Sequence, residues 1–321
     1  MGFETALDIL NFITNAITIG YWVLVAAVML GVFFVFKGKT PIWGRILLAL
    51  AIGGLLMSWP ISNQIKHNKQ KKERKTVYDA ADAQFQMRCK SAGVKIYRTV
   101  DNVEGVLLMK LRPKWDPYDQ NQVDPYGDDY DSGDGDPKGY ISSFLRGRST
   151  GGHLIDDQKK IVSPGYRYVD VIEADGKRYR YTGYMKEVGK KTPEYVARER
   201  LKDPSFSDGI FEFSLKRTLA KGPAPRYGVT YDDIATPEER KMWIAGSSLK
   251  IIDLKTNQVI AERIGYMIDR GMGSTGGGRA PWQHAAKWAC PKFPGGQSLE
   301  TLWTSGQARN FTEQVLKIKG R

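Results

Sequence analysis

Two long apolar runs come first, and alternating segments follow. Residues 16–36, AITIGYWVLVAAVMLGVFFVF, carry no charge, and residues 41–61, PIWGRILLALAIGGLLMSWPI, carry only Arg45. At about 1.5 Å rise per residue, each run as a helix can cross a hydrocarbon core of roughly 30 Å. Trp43 and Trp59 lie near the two ends of the second run, where interfacial aromatics sit. Arg45 lies one turn inside it and can snorkel outward. Only KGKT separates the runs, so the pattern predicts a two-helix transmembrane hairpin over 16–61. Phe3, Leu7, Leu10 and Ile13 or Ile17 fall near helical spacing and predict an amphipathic segment over 1–15, with a simple extension of the first span as the alternative. A cleaved signal fits poorly, because no basic region precedes the first run and a second run follows at once.

Residues 62–75 predict a basic juxtamembrane stalk. The period then changes. Val77, Ala81, Phe85 and Cys89 recur every four residues, which predicts a helix over 76–93 with Gly93 as its stop. Three hairpins are predicted next. The first joins 94–100 to 103–112 at Asp101-Asn102. The second joins 165–173 to 176–185 at Ala174-Asp175. The third joins 248–254 to 258–268 across KTNQ. Residues 209–217 alternate as a further strand. Thr192-Pro193-Glu194 and Thr236-Pro237-Glu238 each open a helix, with threonine as cap and proline in the first turn. The fold class predicted is α+β: an antiparallel-sheet domain with flanking helices over 76–321, tethered by the hairpin. A split near 185–192 is the alternative to one domain.

Charge changes the picture in one respect. The chain carries a formal +13, of which residues 66–75 supply +5, six basic residues less Glu73. The domain that follows is mildly basic without a stripe of Lys and Arg, so nucleic acid is not an expected partner. A basic run beside a span favours the cytoplasmic face. Against that, residues 1–15 hold no Lys or Arg, while Lys37, Lys39 and Arg45 crowd the short loop. The sequence therefore places the domain in the periplasm, with the cytoplasm as the alternative, and the basic run against anionic lipid headgroups.

Candidate chemistry is sparse. Gly271, Gly273 and Gly276 match G-x-G-x-x-G, but the rest of a dinucleotide-binding unit is missing, and a glycine turn ahead of a helix capped at Ala280-Pro281 is the better account. His284 has no assignable nucleophile or acid. Asp232-Asp233, the nearest paired acids, suit a turn and helix entry. No catalytic residue, cofactor or metal is predicted. His67, His153 and His284 are scattered, and two cysteines cannot hold zinc alone. Residues 116–138 hold eight aspartates. Begun at Asp134, an EF-hand loop would have Lys138 at its fifth position, so a solvated loop is expected, with a looser calcium site as the alternative. Tyr166, Tyr168, Tyr179, Tyr181 and Tyr184 interleave with Arg167, Arg178 and Arg180. Either they stack bases, or they pack across strands with the charges on the opposite face. Tyr166, Tyr168, Tyr179 and Tyr181, with Asp128, Asp129 and Asp131, are the candidate interaction residues. Cys89 and Cys290 leave two readings, a single bridge closing a long loop or two buried thiols.

The segments CKSAGVKIYRTVDNVEGVLLMKLRP (89–113), DPYG (124–127), YISSFL (140–145) and IAGSSLKIIDLKTNQVIAERIGYM, with GGGRAPW and ACP (244–291), resemble an uncharacterised family of bacterial envelope proteins. The resemblance implies an exported or membrane-anchored domain and no assigned activity. It supports pairing Cys89 with Cys290, which lie inside the matching blocks. The expected function is a membrane-anchored protein-binding module of the envelope, such as a toxin-immunity protein or an accessory subunit. An effector acting through an oligomerised hairpin is the first alternative, since Gly20, Gly31, Gly44, Gly53 and Gly54 permit close helix packing. A hydrolase with an unfamiliar site is the second. The expected partners are the lipid bilayer, another protein and, as an option, a second copy of the chain.

Overall fold

The computed structural model describes residues 19–31, 34–35, 41–127, 137–146, 164–292 and 307–320. The chain forms two compact units, divided between Thr76 and Val77.

In the first unit, α1 (Ile19–Gly31) contacts α2 (Ile42–Cys89). The Tyr21 hydroxyl donates to the Leu56 carbonyl. The Met29 sulfur lies 2.8 Å from where a Cβ on Gly53 would sit, so the two helices approach closely there. By length and composition one helix, α2, can cross a membrane, and α1 is shorter. The amphipathic segment expected at 1–15 lies outside the described residues. Helix α2 is one 48-residue element, where the sequence predicted a span, a stalk and a separate helix. Nothing between Ser62 and Thr76 stops a helix: the segment is rich in Lys and Gln, good helix formers, and lacks Gly and Pro.

The second unit is α+β. Eight strands form one sheet in the order β1-β9-β8-β7-β3-β4-β5-β6. They are β1 (Gly93–Ile96), β3 (Gly105–Leu108), β4 (Tyr168–Ile172), β5 (Arg178–Lys190), β6 (Gly209–Leu219), β7 (Tyr227–Asp233), β8 (Ile244–Asp253) and β9 (Gln258–Ile268). All pairings are antiparallel except those of β3, which is parallel to both β4 and β7. A separate parallel pair joins β2 (Val100–Val103) to β10 (Leu316–Ile318). The second and third hairpins of the sequence form as β4–β5 and β8–β9. The first does not. β1 pairs with β9, β2 with β10, and β3 enters the sheet centre. The four residues of β3 are buried in succession, the pattern of a strand covered on both faces rather than of a hairpin arm. Gly105, at its start, lies under the Tyr168 ring, where a Cβ would come within 2.4 Å.

Helices pack against parts of both faces of the sheet. Tyr140, Ile141, Phe144 and Leu145 of α3 (Pro137–Arg146) and Ala308, Phe311 and Val315 of α7 (Gln307–Val315) build the main core with Val106, Val169, Val229, Leu249 and Ile251. Further along, Ala245 and Met267 lie opposite each other and meet Trp282 and Ala285 of α6 (Pro281–Ala285). Their neighbours Ile244, Tyr266 and Ile268 point to the other face and meet Ala81 and Phe85 of α2. The four-residue spacing that predicted this helix face is thereby explained, except at Val77, which is exposed.

Cys89, ending α2, is bonded to Cys290 across 201 residues of sequence, with Cα atoms 5.6 Å apart. Cys290 is held by backbone bonds in both directions with Tyr266, at 2.8 and 2.7 Å. The bridge therefore ties the end of α2 and the segment after α6 to the same point of β9. The reading with two free thiols is set aside.

Candidate functional site

The tyrosine stripe divides between two faces of the sheet. Tyr179 and Tyr181 of β5 lie opposite Val171 and Val169 of β4 on the core side. Tyr166 is buried in the same core, and its hydroxyl donates to the Leu316 carbonyl at 2.8 Å. Tyr168 is on the other face, half-buried, with the Arg180 guanidinium 3.7 Å from its ring centre. Arg180 and Arg178 converge there on the buried carboxylate of Asp170. Cross-strand packing with charges on the opposite face is thus the arrangement present. Asp128, Asp129 and Asp131 lie outside the described residues. The acidic segment is solvated at Asp116 and Asp119, but Gln122, Asp124 and Tyr126 are buried. Asp124 is fixed by Arg112 at 2.9 Å and by the amide of Gly127 at 3.1 Å. Desolvation outweighs these partners and holds its carboxyl above the ordinary range.

The other candidates for chemistry are structural. The Asp269 carboxylate accepts from the amides of Gly271 and Gly273, at 2.9 and 2.8 Å, and from Arg279. The amides that might have cradled a phosphate are occupied by the chain's own anion. His284 turns its Nδ1 to the Ala280 carbonyl of its own helix, 2.9 Å away. Asp232 is neutralised by Lys110 and Lys250, and Asp233 by Arg240. Asp253 is clamped between Arg226 and Arg98. Among the described residues, no group of three or more His, Cys, Asp or Glu side chains could hold a metal ion.

What remains is a surface. β5 and β6, 13 and 11 residues long, pair from Tyr179↔Leu219 to Lys190↔Gly209, but β4 covers β5 only as far as Tyr181. From Thr182 to Lys190 and from Gly209 to Lys216 the two strands run on as a two-stranded arm. Its root is tied by Glu173, which accepts from the Tyr181 hydroxyl at 2.6 Å and from Arg217 at 2.6 and 2.8 Å. Arg217 holds the Glu173 carboxyl below its usual range, while burial and that carboxylate push the Tyr181 hydroxyl up to about 12. Arg217 also caps the Tyr179 ring at 3.5 Å. At the far end the connection holds α4 (Pro193–Arg200), whose Tyr195 meets Phe206 of the same connection edge-on at 5.8 Å. Tyr184, Val188 and Ile210 stand exposed on the arm, and Tyr195 and Leu201 on the connection at its end, Leu201 at 87 %. Residues 182–219 mix eight basic with six acidic side chains, so the surface has no single sign.

The sequence placed Tyr184 at the end of a short hairpin and 209–217 as an unattached strand. Their pairing into one arm was missed, because the 18-residue connection between β5 and β6 hides it. The signal was present in the alternation of RYRYTGYMKEVGK, which continues to Lys190. Compared with known protein families, curated proteins and solved structures, the chain matches none.

Proposed function

We propose that the chain is a membrane-tethered protein-binding module of a bacterial envelope, with its disulfide-closed domain in the periplasm and the β5–β6 arm as its recognition surface. The observation that carries this reading is the composition of α2. That helix begins with apolar side chains that are largely exposed, Trp43 and Leu55 each at 74 %, continues through the basic segment and ends at the bridged Cys89. An apolar surface of this extent is unstable in water and suits lipid. The contacts of α1 with α2 fit a transmembrane hairpin, and the basic segment suits anionic headgroups. A long-range bridge favours an oxidising compartment. The resemblance to envelope proteins supports the bacterial setting. Exposed aromatics among charges of both signs suit a protein partner better than a polyanion. Immunity to a secreted toxin and service as an accessory subunit are both forms of this role.

The test is a photoreactive residue in place of Tyr184 in the full-length protein, in its native membrane. Ile96, an exposed residue at the opposite edge of the sheet, is the control position. The reading expects a discrete adduct with a different protein at position 184 and none at 96. Absence of adducts at both positions, or the same diffuse labelling at both, rejects the arm as the recognition surface.

A further inference from the structure

Strand β6 closes one end of the eight-stranded sheet, and among the described residues it pairs only with β5. It has 11 residues, about twice the usual strand length. Edge strands of this length invite pairing unless proline, a bulge or an inward charge blunts them. The one irregularity here lies in β5, between Glu187 and Gly189, and Ile210 to Leu219 contain no proline. The direction of the free backbone groups follows from the ladder. Ala220 donates to the Arg178 carbonyl, so the even-numbered residues of β6 turn their N–H and C=O toward β5. Phe211, Phe213, Leu215 and Arg217 therefore turn theirs outward.

We propose that this outer edge pairs antiparallel with the same edge of a second copy, about a two-fold axis at Ser214. Because only odd-numbered residues present outward groups, they must pair with each other, and two opposed residues must have numbers of the same parity. Glu212 opposite Arg217 is forbidden on that ground. Glu212 opposite Lys216 is allowed, and in a symmetric pair it occurs twice. The same register sets Phe213 against Leu215, an apolar pair that occurs twice on one face. Glu212 and Lys216 are exposed, and neither has an ion pair within its own chain among the described residues. On a single copy Lys216 would discourage pairing. Against Glu212 of its twin it selects one register. The occupant is therefore a second copy rather than an unrelated strand, because the charge order of the edge is complementary to itself. The pairing uses the edge of β6, not the side chains at Tyr184, and does not depend on the proposed recognition role.

Ser214 would oppose itself at a non-hydrogen-bonded site, where Cα atoms approach to roughly 4.5 Å. That lies within disulfide range. The native cysteines are bonded to each other, so a new thiol at 214 has no partner in its own chain. The experiment uses full-length protein in membranes, oxidised mildly and run without reductant. S214C is expected to give a covalent dimer as the main species. T218C, whose copies lie about 26 Å apart in this register, is expected to stay monomeric. E212K should lower the S214C dimer about tenfold by facing like charges, and the added K216E should restore it. An intact native bridge by mass spectrometry controls for folding. For unmodified protein, the mass in detergent by light scattering should be that of two chains and should halve in E212K. The proposal is overturned if S214C stays monomeric with the native bridge intact, if T218C cross-links equally, if E212K changes nothing, or if the unmodified protein has the mass of one chain.

Discussion

Two antiparallel ladders of similar length sit on either side of the sheet centre, and their surroundings are opposite. β8 and β9 pair over ten residues of β8, and the first six of these, Ile244 to Leu249, are buried in succession. β5 and β6 pair over a comparable length, yet only Tyr181 of β5 and Gly209 of β6 are buried. The backbone bonding is equivalent in both. The difference lies in what covers the faces. On β8–β9, small and apolar residues alternate between Trp282 on one side and Phe85 on the other, and Gly265 admits the Tyr126 ring where a Cβ would clash at 2.0 Å. On the arm, lysines, glutamates and exposed aromatics leave nothing for a helix to seal. Strand pairing sets the architecture, while side-chain volume and charge decide which ladder is core and which is surface. The sealed ladder also carries the disulfide, because Cys290 is bridged to Tyr266 of β9.

The largest test of this contrast is removal of the bridge. C89A/C290A should lose up to about 5 kcal/mol of stability, since the bridge closes a long loop of the unfolded chain. A large fall in the urea midpoint of the domain checks it, and an unchanged midpoint would mean that packing alone holds α2 to β9. Next in size is a paired truncation. Trp282→Ala at the sealed ladder should cost about 3–5 kcal/mol, whereas Tyr184→Ala on the arm should stay within about 0.5 kcal/mol. Equal costs would erase the distinction between the two ladders.

A pH series sharpens it further. The Asp253 carboxyl, at the end of β8, is held well below the usual carboxylate range by hydrogen bonds from Arg226 and Arg98. A depressed carboxylate contributes its full stabilisation above the unfolded pKa, roughly 3.9, and loses it as pH falls toward the folded value. The wild-type urea midpoint should therefore fall in acid below that point, and Asp253→Asn should be less stable at neutral pH with a shallower acid limb. Identical limbs would deny Asp253 this role. The smallest effect belongs to the arm. Lys190 and Asp208 form an exposed pair at 3.1 Å, and Lys190→Ala should leave the midpoint unchanged within error.

Much of the fold was legible because local signals agreed with tertiary ones. The β8–β9 hairpin, the Thr236 cap and the helix face of Ala81 and Phe85 follow from period and turn chemistry alone. The placement of β2 and β3 was not legible. Asp101-Asn102 reads as a hairpin turn, and Asn102 does take a positive φ of 60°, but both residues lie inside β2, and the partners of β2 and β3 are more than sixty residues away. The tyrosine stripe was visible as a pattern, while its division between core and surface depends on α3 and α7, which approach only in three dimensions. At Gly271 and Gly273, the motif hid the fact that Asp269, two residues earlier, supplies the anion.

The bridge also offers the most direct test of where the domain works. Intact cells producing the full-length protein are treated with a membrane-permeant alkylating reagent, and the protein is then denatured and analysed by mass spectrometry with and without reduction. The account predicts that Cys89 and Cys290 are recovered as one bonded peptide pair, unalkylated until reductant is added. Recovery of both as alkylated thiols would contradict it and would place the domain on the cytoplasmic face that the basic segment of α2 favours.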